Sequence, residues 1–515
     1  MRVCFYWFNL GTPPGMSIGV SILANELAQA RHEVEVVLLN ERVGVPFEPE
    51  RLARLAGESQ AELHALSFGQ NHYPMAMQLA SIIKMEAPDS KILCGGVHTT
   101  LNAEEVIANP SIDYVGLGEV DGRLTQFVNA LEAGAGFDSI DGFWVKDGDK
   151  VIRNPISALP DITNQTPLFL DGIDYAPIIT AARGFAETVV GRGCPMKCNY
   201  CHNAAIQATY RALSAPGAPP PHFSRMRSVD NVIGELKIFL RRYGGVIRAF
   251  NFGDDVFVSD RVWLEEFSAR YAAEIGLPFI ANAIAPQIDE EAAKLLAAAG
   301  CNMIKFGVES GSERVRREVL NRVLSEERLE RSVRLLHSEG INTRAYVMLG
   351  IPTETHDEME GTIALCARLR FDSVRPAIMY PFPGTAIHRY CLERGLLDAS
   401  RVPTDYSNTT VLAVPASERA HIEKTAALYP WLLNLELGGP AASASQPLVD
   451  AVKALTETRW ADGEGQELIA RLGQAIHEFL QPSGLEHYHA PFPDRHDVIF
   501  LYRPRARPLI NVEDR

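Results

Sequence analysis

No stretch of the chain approaches the roughly 18 uninterrupted apolar residues that a membrane span needs, so the pattern excludes a transmembrane protein. A secretory leader is missing as well. The first residues, MRVCFYWFNLG, have no basic start and no small-residue cleavage site and run straight into a strand pattern, so the expectation is a cytoplasmic protein. Positive charge is in short supply: 49 Lys and Arg against 64 Asp and Glu leave a formal net charge of -15, which repels a polyphosphate backbone. That balance points away from nucleic acid and toward a small-molecule substrate. Cysteine is scarce too, with eight in 515 residues, so no disulfide framework holds this chain together. What remains is ordinary globular material, 46% hydrophobic and 22% charged, long enough for about three domains.

From residue 1 to about 140, short apolar runs (VCFYWF, EVEVVLLN, ELHALSF, KILCGG, IDYVGLG) end in small or polar residues, and helices are predicted over Ile18 to Ala30 and Pro74 to Glu86. This is the pattern of a five-stranded parallel sheet in a doubly wound, Rossmann-like α/β domain, whose ligand site lies at the carboxyl ends of its strands. Residues 141–182, rich in Pro, Asp and Asn from Lys146 onward, read as a connector. A second series begins at Glu187 with the strands ETVVGRG, VIRAFNFG, PFIANAI, NMIKFGV, NTRAYVMLG and SVRPAIMY, which predict a (βα)6 partial TIM barrel over 183–395. Within it Asp289 and Ser325 are predicted helix N-caps, with Gly300 and Gly340 as the stops. Residues 396–515 read as a mostly helical C-terminal substrate or cap domain, in which Trp431, Trp460, Tyr488 and His489 fill a core or line a pocket.

Five cysteines, Cys4, Cys94, Cys301, Cys366 and Cys391, stand singly in apolar segments and read as core thiols. The other three, Cys194, Cys198 and Cys201, fall in GRGCPMKCNYCHN at a C-x3-C-x2-C spacing directly after a predicted strand. Three thiolates from one compact loop can hold three irons of a 4Fe-4S cube and leave the fourth iron without a protein ligand, free to chelate a small molecule. Gly191 and Gly193 permit the tight path, and amides of such a loop can hydrogen-bond the sulfides. Structural zinc is the competing reading, but zinc usually takes four ligands, and the nearby fourth candidate, His202, is adjacent to Cys201.

On these residues the chain resembles the radical S-adenosylmethionine (SAM) superfamily, whose signature is this spacing at the end of the first strand of a six-unit βα barrel. The resemblance implies a 4Fe-4S cluster on Cys194, Cys198 and Cys201 whose open iron binds SAM. One electron, from a donor such as flavodoxin or ferredoxin, then cleaves the sulfonium to methionine and a 5'-deoxyadenosyl radical. It also implies Tyr200 beside the adenine, Asp254 or Asp255 of NFGDD on the methionine amino group, Glu309 or Ser310 of FGVESGSE on the ribose, and Gly350 of MLGIPTET near the adenine. Where relatives often carry an arginine at the third strand end this chain has Asn282, which leaves the methionine carboxylate clamp unassigned. Tyr380, closing the last barrel strand, is the group expected to face the reaction. Read from the residues alone, Asp254 or Asp255 could cap the helix that follows, and Gly350 could be a plain turn glycine.

The first domain, placed ahead of such a barrel, resembles the cobalamin-binding domain of the cobalamin-dependent members of that superfamily. The likeness rests on Ser67 after the third strand, GGVHTT with Gly95, Gly96 and His98 after the fourth, and GLGEVDG with Gly116, Gly118 and Glu119 after the fifth. PFPGT after the last barrel strand extends it to about residue 395. Paired glycines at strand ends suit a buried nucleotide tail, because backbone N–H groups can approach it closely. One departure is plain. The loop after the second strand, LLNERVGVPF, has no histidine to ligate cobalt from below, so that face is open or approached by a side chain such as Asn40 or Arg42. The resemblance implies a radical C-methyltransferase acting on an unactivated carbon. The alternatives are an oxidative cyclase or ring-rearranging enzyme without methyl transfer, and a non-enzymatic iron-sulfur protein.

Overall fold

In a computed structural model that describes residues 1–137, 140–398, 401, 409–490 and 498–503, the apolar run at the amino end forms strand β1 (Arg2–Phe8), buried from Val3 onward. It lies inside a seven-stranded sheet in which apolar residues on both faces must be covered. Its neighbours are β2 (Glu33–Leu39) and β3 (Leu63–Ser67), both parallel to it, with Arg2 opposite Glu33 and Val3 opposite Leu63. Next come β4 (Lys91–Gly95) and β5 (Tyr114–Gly116), also parallel, giving the order β2-β1-β3-β4-β5. Helices Ile18–Gln29, Pro49–Glu58 and Tyr73–Glu86 make the crossovers. The winding direction reverses between β1 and β3, and ligands of open α/β sheets bind at such a switch, off the carboxyl ends of the strands.

Five parallel strands are thus where the sequence puts them. The sheet then continues into β6 (Phe143–Asp147) and β7 (Lys150–Arg153), an antiparallel hairpin in the stretch whose composition reads as connector. Its two-residue turn needs Gly148, at φ +57°, which suits the twist of a tight hairpin.

The described residues divide into two units, each discontinuous in the chain: 1–196 with 201–255 and 382–385, and 197–200 with 256–381 and 386–515. Besides the large sheet, the first unit contains β8 (Phe185–Thr188), β9 (Gly191–Arg192), β10 (Arg225–Met226) and β11 (Ala249–Phe252); β8 and β11 pair in parallel, β9 and β10 antiparallel. In the second unit β12 (Phe279–Ala283), β13 (Cys301–Glu309), β14 (Asn342–Leu349) and β15 (Ser373–Ile378) run parallel in that order. Two later strands, β16 (His487–His489) and β17 (Ile499–Tyr502), pair with each other, and β17 lies antiparallel to β15.

The helix signals hold. Asp289 accepts a hydrogen bond from the Ala292 amide at 2.8 Å and Ser325 accepts one from Arg328 at 3.3 Å, while Gly300 and Gly340 take φ of +89° and +73° where the helices stop. Between Ala416 and Leu480 the chain is helical, with Trp431 and Trp460 buried there as core, and Tyr488 is buried in β16. The five single cysteines are buried as well. No helix among the described residues is long and apolar enough to cross a membrane.

Candidate active site

The cysteine loop leaves β9, and the carboxylates after β11 hold its entry. Asp254, 4% exposed, accepts from the Val190 amide at 3.0 Å and the Gly191 amide at 2.6 Å, and burial pushes its carboxyl up to about 7 against those N–H groups. Asp255 accepts from the Asn203 side chain and the Gly193 amide. Neither caps the next helix, whose N-cap is Asp260. Gly193 sits at φ +82° with the Phe223 carbonyl where a Cβ would be, so only glycine fits. Gln207, on the helix that starts at His202 right behind Cys201, donates to the Cys194 carbonyl at 2.8 Å.

Cys194 and Cys201 belong to the first unit and Cys198, 3% exposed, to the second. There Arg322 brings Nη1 to 3.7 Å from the Cys198 sulfur and 3.4 Å from the Tyr200 hydroxyl, and donates through Nη2 to the Gly307 carbonyl. The Tyr200 hydroxyl donates to Glu309 Oε1 at 2.9 Å. Glu309 itself takes a left-handed φ of +68°, a strained choice for a non-glycine residue. Burial raises its carboxyl while Arg322 and the Tyr200 hydroxyl pull it down.

Ser310 and Gly350 meet at a residue the sequence reading passed over, Glu354. Its carboxylate accepts from the Ser310 hydroxyl at 3.4 Å and the Ile351 amide at 3.1 Å, and burial pushes it up to about 8. Gly350, at φ +67°, has Ile422 Cγ2 2.9 Å from where a Cβ would stand, so it is more than a turn residue of convenience. The Asn282 carbonyl accepts from the Phe257 amide at 2.9 Å. Tyr380 has its hydroxyl raised by burial.

In the first domain the strand ends form a cradle. Gly96 holds φ +96° with the Phe68 carbonyl 2.8 Å from a would-be Cβ and Ser67 Oγ at 3.4 Å, and Gly95 faces open space. His98 is 2% exposed against the rings of Tyr73 and Phe68 at 4.5 and 5.9 Å, with Nε2 buried and lacking a hydrogen-bond partner and its imidazole lowered to about 4 by burial. Gly116 packs on Phe143, and Gly118, at φ +69°, lies under the Tyr210 hydroxyl, which accepts from the Glu119 amide at 2.8 Å. Glu119 binds Arg192 at 2.6 Å and pairs with Arg225; Arg192 also reaches Asp121 at 2.7 Å. Asn40 is fully buried and engaged by its own loop: Nδ2 donates to the Asn9 carbonyl at 2.7 Å and Oδ1 accepts from Arg42 at 2.9 Å.

Sequence reading missed Arg192, Arg322 and Glu354. A charged residue of these common types carries no spacing signal, and each acts through partners distant in the chain or through burial that only the fold creates.

The residues fit the expected groups. Cys194, Cys198 and Cys201 are carried on one loop, and the orphaned His98 nitrogen and the bare edges at Gly95 and Gly96 suit a tail laid over the strand ends. Among the described residues no three His, Cys, Asp or Glu converge to hold a single metal ion, whereas an iron-sulfur cube spreads its thiolates over separate irons.

A family model of the B12 binding domain matches residues 13–128, and one of the radical SAM superfamily matches residues 188–366. The chain belongs to the cobalamin-dependent radical SAM enzymes, and its cofactors are a 4Fe-4S cluster, SAM and cobalamin. It is 26% identical over 388 residues to an uncharacterized methyltransferase of Pyrococcus horikoshii, covering 74% of this chain and 80% of that protein. It is 23% identical over 409 residues to the anaerobic magnesium-protoporphyrin IX monomethyl ester cyclase of Synechocystis, covering 77% of each. The fold is that of the radical SAM methyltransferase TsrM from Kitasatospora setae, solved with cobalamin and a 4Fe-4S cluster bound: TM-score 0.65 at 16% identity, covering 92% of this chain and 99% of that one. TsrM has also been solved with a tryptophan substrate and a SAM analog.

Proposed function

We propose that the enzyme is a C-methyltransferase acting on an unactivated carbon of a small-molecule substrate, supplied with electrons by a donor such as flavodoxin or ferredoxin. The observation that carries this reading is a B12-binding domain and a radical SAM cysteine loop in one chain that is similar to named methyltransferases. When bound, the cluster with SAM supplies a 5'-deoxyadenosyl radical and cobalamin a transferable methyl group.

The chain's own part is holding and orienting. Cys194, Cys198 and Cys201 would ligate three irons, with Arg322 keeping positive charge beside Cys198. Tyr200, Glu309, Ser310 and Gly350, and with them Asp254, Asp255 and Asn282, would surround SAM, while Tyr380 would face the substrate. Ser67, Gly95, Gly96, His98, Gly116, Gly118, Glu119 and Asn40 would receive cobalamin. In this proposal 1–140 is the cobalamin-binding domain, 141–182 the connector, 183–395 the radical SAM barrel and 396–515 the substrate cap.

The likeness to the Synechocystis cyclase supports a second reading, cobalamin-assisted cyclisation without methyl transfer. The two separate in an anaerobic assay with SAM labelled in its methyl group and the low-molecular-weight extract of the source cells. Deoxyadenosine together with label in a product is expected for the methyltransferase, and deoxyadenosine with no label moved means cyclisation or rearrangement. Cys198→Ala is expected to lose the cluster's visible absorbance and deoxyadenosine formation together, with bound cobalamin retained.

A further inference from the structure

The middle of the cysteine loop, Lys197–Tyr200, is gripped by one short segment of its own unit. Val315–Val319 is a π-turn, a rare form that recurs at functional sites, and the chain leaves it through Asn321 at a left-handed φ of +49°. The Leu320 carbonyl accepts from the Asn199 amide at 2.9 Å, and the Val319 carbonyl accepts from the Asn199 side chain at 2.9 Å. Asn321 Nδ2 donates to the Lys197 carbonyl at 2.8 Å. The same segment is tied to the elbow after β13, where Arg316, 2% exposed, donates to the Ser310 carbonyl at 2.6 Å. The Arg322 amide then closes on the Arg316 carbonyl at 2.7 Å, so the backbone of Arg322 is fixed between cysteine loop and elbow.

Its side chain reaches both. Nη1 lies 3.7 Å from the Cys198 sulfur, within reach of an N–H···S hydrogen bond, and 3.4 Å from the Tyr200 hydroxyl, which donates onward to Glu309 Oε1 at 2.9 Å. Nη2 donates to the Gly307 carbonyl, beside the place where β13 slips its register against β14 between Gly307 and Glu309. Burial works against the charge of this guanidinium, but Tyr200, Glu309 and Cys198 outweigh that and keep Arg322 a fixed cation. A cation so placed acts on electrons. Accepting one electron makes an iron-sulfur cluster on three thiolates more negative, so a positive charge held at a ligand sulfur stabilises the reduced form more than the oxidised form.

We propose that Arg322 tunes the cluster, raising its reduction potential through the Cys198 sulfur. That this sulfur is an iron ligand rests on the radical SAM reading above; the hold of Arg322 on it rests on the contacts themselves. The electron passes from the donor, of the flavodoxin or ferredoxin class, to the cluster, and no proton is moved. Arg322 thereby sets what share of the enzyme such a donor can reduce: a ten-fold change in the ratio of reduced to oxidised cluster corresponds to about 59 mV for one electron. Arginine suits the place better than lysine. Its planar fork offers separate N–H groups to the sulfur, the Tyr200 hydroxyl and the Gly307 carbonyl, whereas a lysine ammonium would bring the charge without the whole set of bonds.

The test uses anaerobically reconstituted holoenzyme without SAM, titrated with dithionite through mediator dyes while EPR follows the reduced cluster separately from cobalt. In Arg322→Met the reduced-to-oxidised ratio at the wild-type midpoint is expected to fall about ten-fold, a midpoint about 59 mV more negative, with Arg322→Lys recovering part of the shift. A second measurement needs no variant: wild-type enzyme grown on arginine isotopically labelled in its guanidinium nitrogens is expected to show a nitrogen coupling to the reduced cluster in pulsed EPR, absent from Arg322→Lys. It decides the matter if Arg322→Met fails to assemble a cluster. A midpoint unchanged or more positive in Arg322→Met, or a wild-type cluster with no guanidinium coupling, would overturn the proposal while leaving deoxyadenosine formation, and with it the radical reading, intact. Wild-type enzyme that assembles no cluster at all would sink both.

Discussion

Glu354 shows what one carboxyl can do to the pH behaviour of the whole chain. Its pKa is about 8 in the folded protein, against 4.5 ordinarily, so between those values the folded state holds a proton that the unfolded state has released. Folding stability therefore falls as pH rises from about 4.5 to about 8, and is flat below and above that window with respect to this group. Glu354→Gln removes the titration and keeps an acceptor for the Ile351 amide, while its amide nitrogen donates to the Ser310 hydroxyl, which turns to accept. Its stability is expected to match the wild type near pH 4.5 and to exceed it near pH 8, with a higher Tm there, by on the order of 1 kcal/mol once solvent screening of a partly exposed group is allowed for. Scanning calorimetry across that range checks it. Nothing in PTET marks this glutamate, because its shift comes from burial beneath neighbours that the sequence does not place.

At the level of elements, a buried ion pair secures the approach to the cysteine loop. Arg227 and Glu235, 1% and 3% exposed, meet at 2.9 Å. Arg227 also donates to the Val189 carbonyl at 2.8 Å, and Glu235 accepts from the Thr188 hydroxyl at 2.9 Å, so helix Val229–Tyr243 grips the end of β8. Arg227→Met leaves Glu235 charged and uncompensated and is expected to cost about 3–5 kcal/mol, lowering Tm and the iron retained per chain; Arg227→Met with Glu235→Leu should recover much of that loss. Both readouts come from one preparation, by calorimetry and iron assay. Helix starts and stops were readable at Asp289, Gly300, Ser325 and Gly340 because capping is local chemistry. The β6–β7 hairpin escaped notice because its Gly148-Asp149 turn lay at the head of a Pro-rich stretch whose composition dominated the reading.

For the molecule as a whole, the cysteine triad was legible because a metal-binding loop needs thiols at short fixed intervals, whereas Arg322, 124 residues from Cys198, could be found only through folding. The same holds for Arg192. Two residues ahead of Cys194, it binds Glu119 and Asp121 after β5 and Gln165, the last at 2.8 Å. Burial works against its charge, but the carboxylates of Asp121 and Glu119 outweigh that and hold its guanidinium firmly charged. Arg192→Ala strands two partly buried carboxylates, a loss of about 1–3 kcal/mol, and is expected to weaken cobalamin retention and iron reconstitution together, measured by visible spectra and iron assay on the same sample. A defect in one without the other would mean that the two loops are independent.

That single guanidinium couples two supply lines that the cell provisions separately. Vitamin scarcity should therefore reach beyond the missing corrin: protein harvested from corrinoid-starved cultures given ample iron is expected to come out poorer in iron than protein from well-fed ones, because in the proposed assignment the bracing of the metal pocket is shared with the vitamin's own berth.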